Sequence, residues 1–160
     1  MATIFDSSKY ILESFPYGIS TSKLQHLNFL AQGWTLAILN EPLFNDSFQA
    51  WACGPISPDL LNSQKDLFSV KADDLMKGST ESLSQKQKTI LDTVVHVYGN
   101  LTGDQIAELY ARNRMWREAR QESKHIVHRE DSKAIDIDWI KHYFREIIEP
   151  EHDKKEAISA

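Results

Sequence analysis

The sequence has little cysteine and lacks the motifs that mark recognisable catalytic or metal sites. Its single cysteine, Cys53, excludes an internal disulfide and is compatible with a reducing compartment. Its six glycines form neither a phosphate-binding loop nor a nucleophile elbow. Cys53 could act as a nucleophile in principle, but no partner base is identifiable, and we interpret it as a small buried hydrophobe. We therefore expect no enzymatic activity, no cofactor and no metal.

Long apolar runs and an excess of positive charge are also missing. No segment is apolar over the length that crosses a bilayer, and the N-terminal stretch does not resemble a signal peptide. Lysine and arginine total 18 against 23 aspartates and glutamates, which gives a net charge of −5. This balance does not favour nucleic acid or an anionic membrane as a partner. We expect a cytoplasmic protein without a membrane partner.

One stretch, Ser20 to Leu39, predicts a central buried helix. The 160-residue chain is 41% hydrophobic, which suits one domain with a sizeable core. Apolar residues recur in this stretch at steps of three and four and also fill much of the opposite side. Either Ser20 caps the helix directly, or Ser22 and Gln25 form a capping box. Gly33 in its interior predicts that another backbone passes close by.

The few polar residues of the central helix are candidates for function. Lys23, Gln25 and Asn28 are expected to mark its one accessible edge. His26 lies between them, and we predict that these four residues contribute to partner binding.

The remaining pattern predicts a mainly α fold of about seven helices around one core, with the 20–39 helix at its centre. Pro and Gly signals, capping boxes and apolar spacing predict the other helices at 6–15, 58–67, 84–98, 102–110, 116–128 and 137–148. A turn at Asn45-Asp46 predicts a short β-hairpin near 42–52, with an extended loop as the alternative. Residues 70–83 predict a long polar loop. We expect one domain over 1–148 and a flexible tail over 149–160.

A basic segment stands out against the acidic total. Arg112, Arg117, Arg120 and Lys124 are the residues we predict to contact a partner, and the last three share one helical face. The alternative is a solvated face with internal glutamate–arginine pairs. An acidic patch on a protein is favoured slightly over a nucleic-acid backbone, because arginine is enriched at interface hot spots. Reversing Arg117 and Arg120 to glutamate is expected to weaken binding and leave the fold intact.

Two further patterns offer weaker functional hypotheses. His125 and His128 lie three apart and could share a metal, but no third ligand is evident, so solvated histidines are favoured. The segments 19–33 and 101–116 each resemble a capped helix after a turn, as in helix-turn-helix regulators. Capped amphipathic helices are too common to identify a DNA-binding protein, and the net charge of −5 disfavours binding to DNA.

Several blocks of residues resemble one family in the same order. The first comprises 19–25, Leu27, Ala31-Gln32-Gly33-Trp34 and Leu36-Ala37. The others are 42–44, 48–51, 54–58, 98–103 with Leu109, 116–120 and 137–144. Together they resemble the Panacea domain, the SocA-like antitoxin family of phage-associated proteins.

The resemblance implies a mainly helical domain that binds and neutralises a toxin encoded beside it. It also implies, for the SocA branch, an adaptor that hands the toxin to a bacterial protease. The residues that match the family are Lys23, Gln25, Trp34, Trp51, Gly54, Pro55, Trp116 and Arg117. Most of these define the fold rather than contact a toxin.

Three departures from the family bear on function. The family usually has a basic residue at His26 and apolar or aromatic residues at Asn28 and Leu30. Its Thr-His pair is replaced here by Tyr110-Ala111. If that pair serves a shared activity, this protein lacks it; a different toxin, or a stand-alone phage protein that reuses the fold, is then expected.

Overall fold

The structure is a computed structural model that describes residues 1–123 and 134–159, with side chains described for 1–120 and 134–148. Its described part contains seven α-helices and four short strands. The helices are α1 (Ile4–Leu12), α2 (Thr21–Leu39), α3 (Pro58–Ser63), α4 (Gln85–Tyr98), α5 (Gly103–Ala111), α6 (Arg114–Ser123) and α7 (Ile137–Ser159). The strands are β1 (Ile19–Ser20), β2 (Gln49–Trp51), β3 (Gly54–Ile56) and β4 (Ser69–Val70). The predicted mainly α fold is confirmed.

Helix α2 is the central element, as the apolar spacing predicts. It packs against α1, α4, α5, α7 and strand β3. Its first turn is capped by Ser20, whose hydroxyl accepts the Lys23 N–H at 3.0 Å. Gln25 is turned inward instead of forming the alternative capping box with Ser22. The helix ends at Asn40, which adopts a left-handed conformation with φ of 59°.

The core around α2 is built on aromatic rings. The Phe29 ring contacts Phe48, Tyr110, Trp116 and Phe144, with centroid distances from 5.2 to 6.3 Å. These four rings come from different parts of the chain, and all are buried. Edge-to-face ring pairs add to the stabilisation that burial itself provides. The Phe29 ring therefore contacts rings from both the first and the second half of the chain.

Gly33 allows α7 to approach α2. A Cβ atom at Gly33 would collide with the ring of Phe144. The sequence correctly predicts a close approach at this glycine, but the prediction of a backbone neighbour is wrong. The neighbour is an aromatic side chain.

The predicted helix boundaries differ from the observed ones in several places. Helix α1 begins at Ile4, where Thr3 and Asp6 form a capping box, and ends before the predicted limit at residue 15. Helix α3 ends at Ser63, short of residue 67. The predicted capping boxes at the starts of α4 and α5 are both confirmed.

The β-hairpin is present, but its position was predicted wrongly. Strands β2 and β3 pair antiparallel with Gln49 opposite Ile56, so the turn lies at Ala52-Cys53. The predicted turn residue Asp46 instead accepts the Ile4 N–H at the start of α1, at 2.9 Å. Cys53 is exposed at the hairpin tip, so its interpretation as a buried hydrophobe is also wrong.

The segment from 70 to 83 is more structured than the predicted polar loop. Val70 pairs with Ile19 across the β1–β4 sheet, and two 3-10 helices follow at Ala72–Asp74 and Thr80–Ser82. The buried Asp6 carboxylate accepts the Ser79 N–H at 2.6 Å, which attaches the segment to α1.

Helix α7 continues to Ser159, so the predicted helix end at residue 148 is not an end in the structure. Whether 149–160 forms a flexible tail stays a prediction. Across the described ranges, no helix is both long enough and apolar enough to cross a membrane.

Candidate functional site

The predicted accessible edge of α2 is in fact a buried polar row. Gln25 and Asn28 are at most 2% exposed, and Gln32 extends the row one turn further. The Gln25 amide accepts the Ser57 N–H at 2.8 Å and donates to the Ser57 carbonyl at 3.0 Å. Gln32 binds the backbone of Leu43 and Phe44 in the same manner. The Gln32 amide thereby holds the segment Leu43-Phe44 on α2, and the Gln25 amide holds Ser57, directly after strand β3, on the same helix.

Asn28 fixes α1 rather than facing solvent. Its amide donates to the Ser8 hydroxyl at 2.8 Å and accepts from the Ser7 hydroxyl at 2.7 Å. It also donates to the Leu24 carbonyl of its own helix. The resemblance implies an apolar residue at this position, and here two serines on α1 supply the hydrogen bonds that the buried Asn28 requires.

Lys23 is half-buried and also makes internal contacts. Its ammonium group donates to the Gly99 carbonyl at 2.6 Å and lies 5.0 Å from the centre of the Phe15 ring. Burial lowers the pKa of Lys23. Because its proton donors are directed at the end of α4, Lys23 mainly joins that helix to α2.

His26 is the remaining candidate on α2, and it is 2% exposed. Its ring stacks on Tyr110 at a centroid distance of 5.6 Å and faces the backbone of Gly54, which has φ of +126°. Its Nδ1 atom has no hydrogen-bond partner within the described part of the chain. Burial lowers the pKa of His26 to about 4, against a smaller opposing effect of the Asp104 carboxylate. His26 is therefore neutral at pH 7.

Burial of His26 makes folding stability depend on pH. The folded-state pKa of about 4 lies below the ordinary 6.5, so protonation favours the unfolded chain. The contribution of the neutral His26 ring to the free energy of unfolding is complete above about pH 6.5 and is lost as the pH falls towards 4. We expect the wild-type protein to lose about 2 kcal/mol more than His26→Phe between pH 7 and pH 5. Urea titrations at both pH values measure this; equal losses would show that His26 is not buried neutral. Replacing the exposed His96 by phenylalanine is the control.

His26 lies beside a surface pocket of about 250 Å³. The pocket is formed where α2, the β2–β3 turn, α5 and the start of α6 meet. It is lined by Ser22, His26, Ala52, Cys53, Gly54, Asp104, Ala107, Glu108, Ala111 and Trp116. The sequence did not predict this site, because its residues come from four separate segments and share no spacing. The only sequence signal was that His26 and Ala111 both depart from the family pattern.

Tyr110, at the position of the family's Thr-His pair, belongs to the core. It is 2% exposed and contacts His26, Phe29 and Trp116, while the next residue, Ala111, is exposed and lines the pocket. Burial raises the pKa of Tyr110 well above its ordinary value. Tyr110 thus places a buried ring against His26.

The arginines of the basic segment do not form one face. Arg112 and Arg117 are exposed, whereas Arg120 is half-buried and donates to the Ala50 carbonyl in β2 at 2.6 Å. The neighbouring Arg114 pairs with Glu118 at 3.0 Å on the surface. Arg120 thus attaches α6 to the hairpin. Arg112 and Arg117 are exposed and form no ion pair with a described residue, whereas Lys124 lies outside the described residues.

Metal-ligand geometry is not found in the described ranges. No group of three or more His, Cys, Asp and Glu side chains that could hold a metal ion occurs in them. The pair His125 and His128 lies outside the described residues, so its metal hypothesis stays a prediction.

Comparison with known proteins identifies the family of the chain. No curated protein and no solved structure matches. The family profile described as "Antitoxin SocA-like, Panacea domain" matches residues 24–117. The match runs from the first turn of α2 to α6 and includes every residue that lines the pocket except Ser22. Because it covers more than half of the 160 residues, the chain belongs to the SocA-like, Panacea domain antitoxin family.

Proposed function

We propose that this protein is a non-enzymatic, antitoxin-like protein that binds and neutralises a protein toxin by direct contact. The family match over residues 24–117 carries the proposal. That region contains the buried polar row that fixes the fold, most of the pocket, and the exposed Arg112 and Arg117.

The surface best suited to the toxin is formed by the pocket and the two arginines beside it. Arg112 directly follows Ala111, and Arg117 directly follows Trp116, so each cation adjoins a residue that lines the pocket. Asp104 and Glu108 supply negative charge at the same place. A surface with both signs of charge suits a protein partner better than a uniformly anionic nucleic acid. Arginine is also enriched at interface hot spots.

The first experiment expresses the reading frame that neighbours this gene, with and without this protein. We expect growth arrest that is relieved only by co-expression, and co-purification of the two proteins. In the Arg112→Glu/Arg117→Glu variant, toxin binding should weaken at least about tenfold while the melting temperature changes little. Unchanged binding by this variant would exclude the two arginines from the interface.

Two matched variants make this experiment specific. Lys65→Glu/Lys86→Glu changes the net charge equally at exposed positions away from the pocket and should bind normally. Arg120→Glu is left out of the binding test, because losing the bond to Ala50 should itself destabilise the fold. The half-life of the toxin in the same cells distinguishes simple sequestration from delivery to a protease, which would shorten it.

A DNA-binding regulator is the second candidate, and only α5 and α6 support it. Helix α2 is buried and cannot enter a groove, whereas α5 and α6 are joined by Arg112-Asn113 and leave Arg112 and Arg117 exposed. Binding to the DNA upstream of its own gene, with affinity that falls steeply with salt, would favour this function.

A further inference from the structure

We propose that the pocket between α2, α5 and the β2–β3 turn receives a basic side chain, arginine or lysine, from the protein partner. This inference rests on the proposed function, since the partner would be the toxin. It adds the chemistry of the contact: a cation of the partner enters the pocket while Arg112 and Arg117 face acidic groups around it.

Charge is the first argument for a cationic occupant. Asp104 and Glu108 lie one turn apart on the exposed side of α5, and both line the pocket. Neither carboxylate makes an ion pair with any described residue. No lysine or arginine lines the pocket. Two carboxylates without an ion-pair partner attract a cation.

The second argument is the buried polar atom beside the carboxylates. His26 is 2% exposed, lines the pocket and leaves Nδ1 without a hydrogen-bond partner in the described structure. Buried polar atoms in folded proteins nearly always have a partner, so an unpaired one requires an explanation. In the tautomer protonated at Nε2, Nδ1 accepts a hydrogen bond. Nδ1 is enclosed in the unbound protein, so a guanidinium or ammonium N–H would have to displace the atoms that cover it; His26 is neutral at pH 7 and would then accept the bond without repelling the charge.

The size and walls of the pocket fit one side chain. Its volume of about 250 Å³ is smaller than the roughly 300–1,000 Å³ typical of sites for drug-sized ligands. Ala52, Ala107 and Ala111 provide short apolar walls for the methylene groups of a long side chain. Trp116 adds an aromatic surface, and aromatic rings attract cations.

The test uses Nα-acetyl-arginine methylamide as the probe, and Nα-acetyl-citrulline methylamide as its uncharged analogue of the same shape. In a ¹H–¹⁵N NMR titration, the arginine probe should shift the amide signals of His26, Gly54 and Asp104 saturably, and the citrulline probe should not. Asp104→Asn/Glu108→Gln should weaken arginine binding by roughly tenfold, because two charge pairs are lost. Asp73→Asn/Glu81→Gln removes two exposed carboxylates that do not line the pocket and should leave binding unchanged.

Three outcomes would overturn the inference: no shifts at the pocket, equal shifts with citrulline, or unchanged binding in Asp104→Asn/Glu108→Gln. The titration contains no toxin, so its result is independent of the co-expression experiment. A pocket that binds arginine would stand even if no toxin were found. Conversely, if the protein neutralises a toxin but its pocket does not bind arginine, the proposed function is supported and the proposed contact in the pocket is excluded.

Discussion

Replacing Gln32 by methionine should destabilise the protein by about 3–4 kcal/mol, even though the side chain keeps nearly the same length. The Gln32 amide accepts the Leu43 N–H and donates to the Phe44 carbonyl, each at 2.8 Å, in the interior. Methionine would fill the space and leave both backbone groups buried without a partner. Each such group costs about 1–3 kcal/mol. Urea denaturation measures the change in the free energy of unfolding.

Gln85→Met is the matched control for this prediction. Gln85 lies exposed at the start of α4, and its replacement should change the free energy of unfolding by less than about 0.5 kcal/mol. If Gln32→Met were no more destabilising than Gln85→Met, water would have to reach Leu43 and Phe44, and the buried polar row would not be an anchor.

Replacing Gly33 by alanine should also destabilise the protein, by about 3 kcal/mol, at the upper end of what overpacking a core costs. In an exposed helix interior the same substitution stabilises by up to about 1 kcal/mol, because alanine favours the helix. The sign is reversed here because the added Cβ atom collides with the ring of Phe144, which is 1% exposed. The ring is packed against Phe29 and Tyr143 and has little freedom to move.

A double-mutant cycle isolates this collision. In a Phe144→Leu background the same glycine substitution should cost at least about 1 kcal/mol less, because the smaller side chain leaves room for Cβ. If Gly33→Ala costs the same in both backgrounds, α7 does not cross α2 at Gly33. A stabilising Gly33→Ala would contradict the packing of α7 altogether.

The elements of the fold were more predictable than the roles of their polar residues. The apolar spacing of Leu24, Leu27 and Ala31 predicts α2, and the serine at its start predicts the cap, because both effects act within a few residues. The positions of Gln25 and Asn28 were predicted wrongly as exposed. A polar side chain in a helix normally faces water, and only the backbone or side-chain partners at Ser57 and α1 make its burial favourable.

The same dependence on distant parts of the chain explains why the candidate site was not predicted from the sequence. Arg117 and Arg120 have the spacing of one helical face, yet a carbonyl at Ala50 engages Arg120 and leaves Arg117 exposed. The pocket joins residues as far apart in the chain as Ser22 and Trp116, and no local pattern connects them. Cys53 is exposed because the hairpin turn lies at Ala52-Cys53 and not at the predicted Asn45-Asp46.

The sequence by itself determined the mainly α fold, the central helix, most caps and the family, since periodicity, capping and the order of short motifs are all local properties. Tertiary structure alone decided which polar groups are buried, what fills the space at Gly33 and where an accessible pocket remains. The physical reason is that burying a polar group is favourable only when a distant part of the chain supplies its hydrogen-bond partner. For this protein, that requirement turns the expected binding edge of α2 into its internal scaffold and leaves His26 beside the pocket.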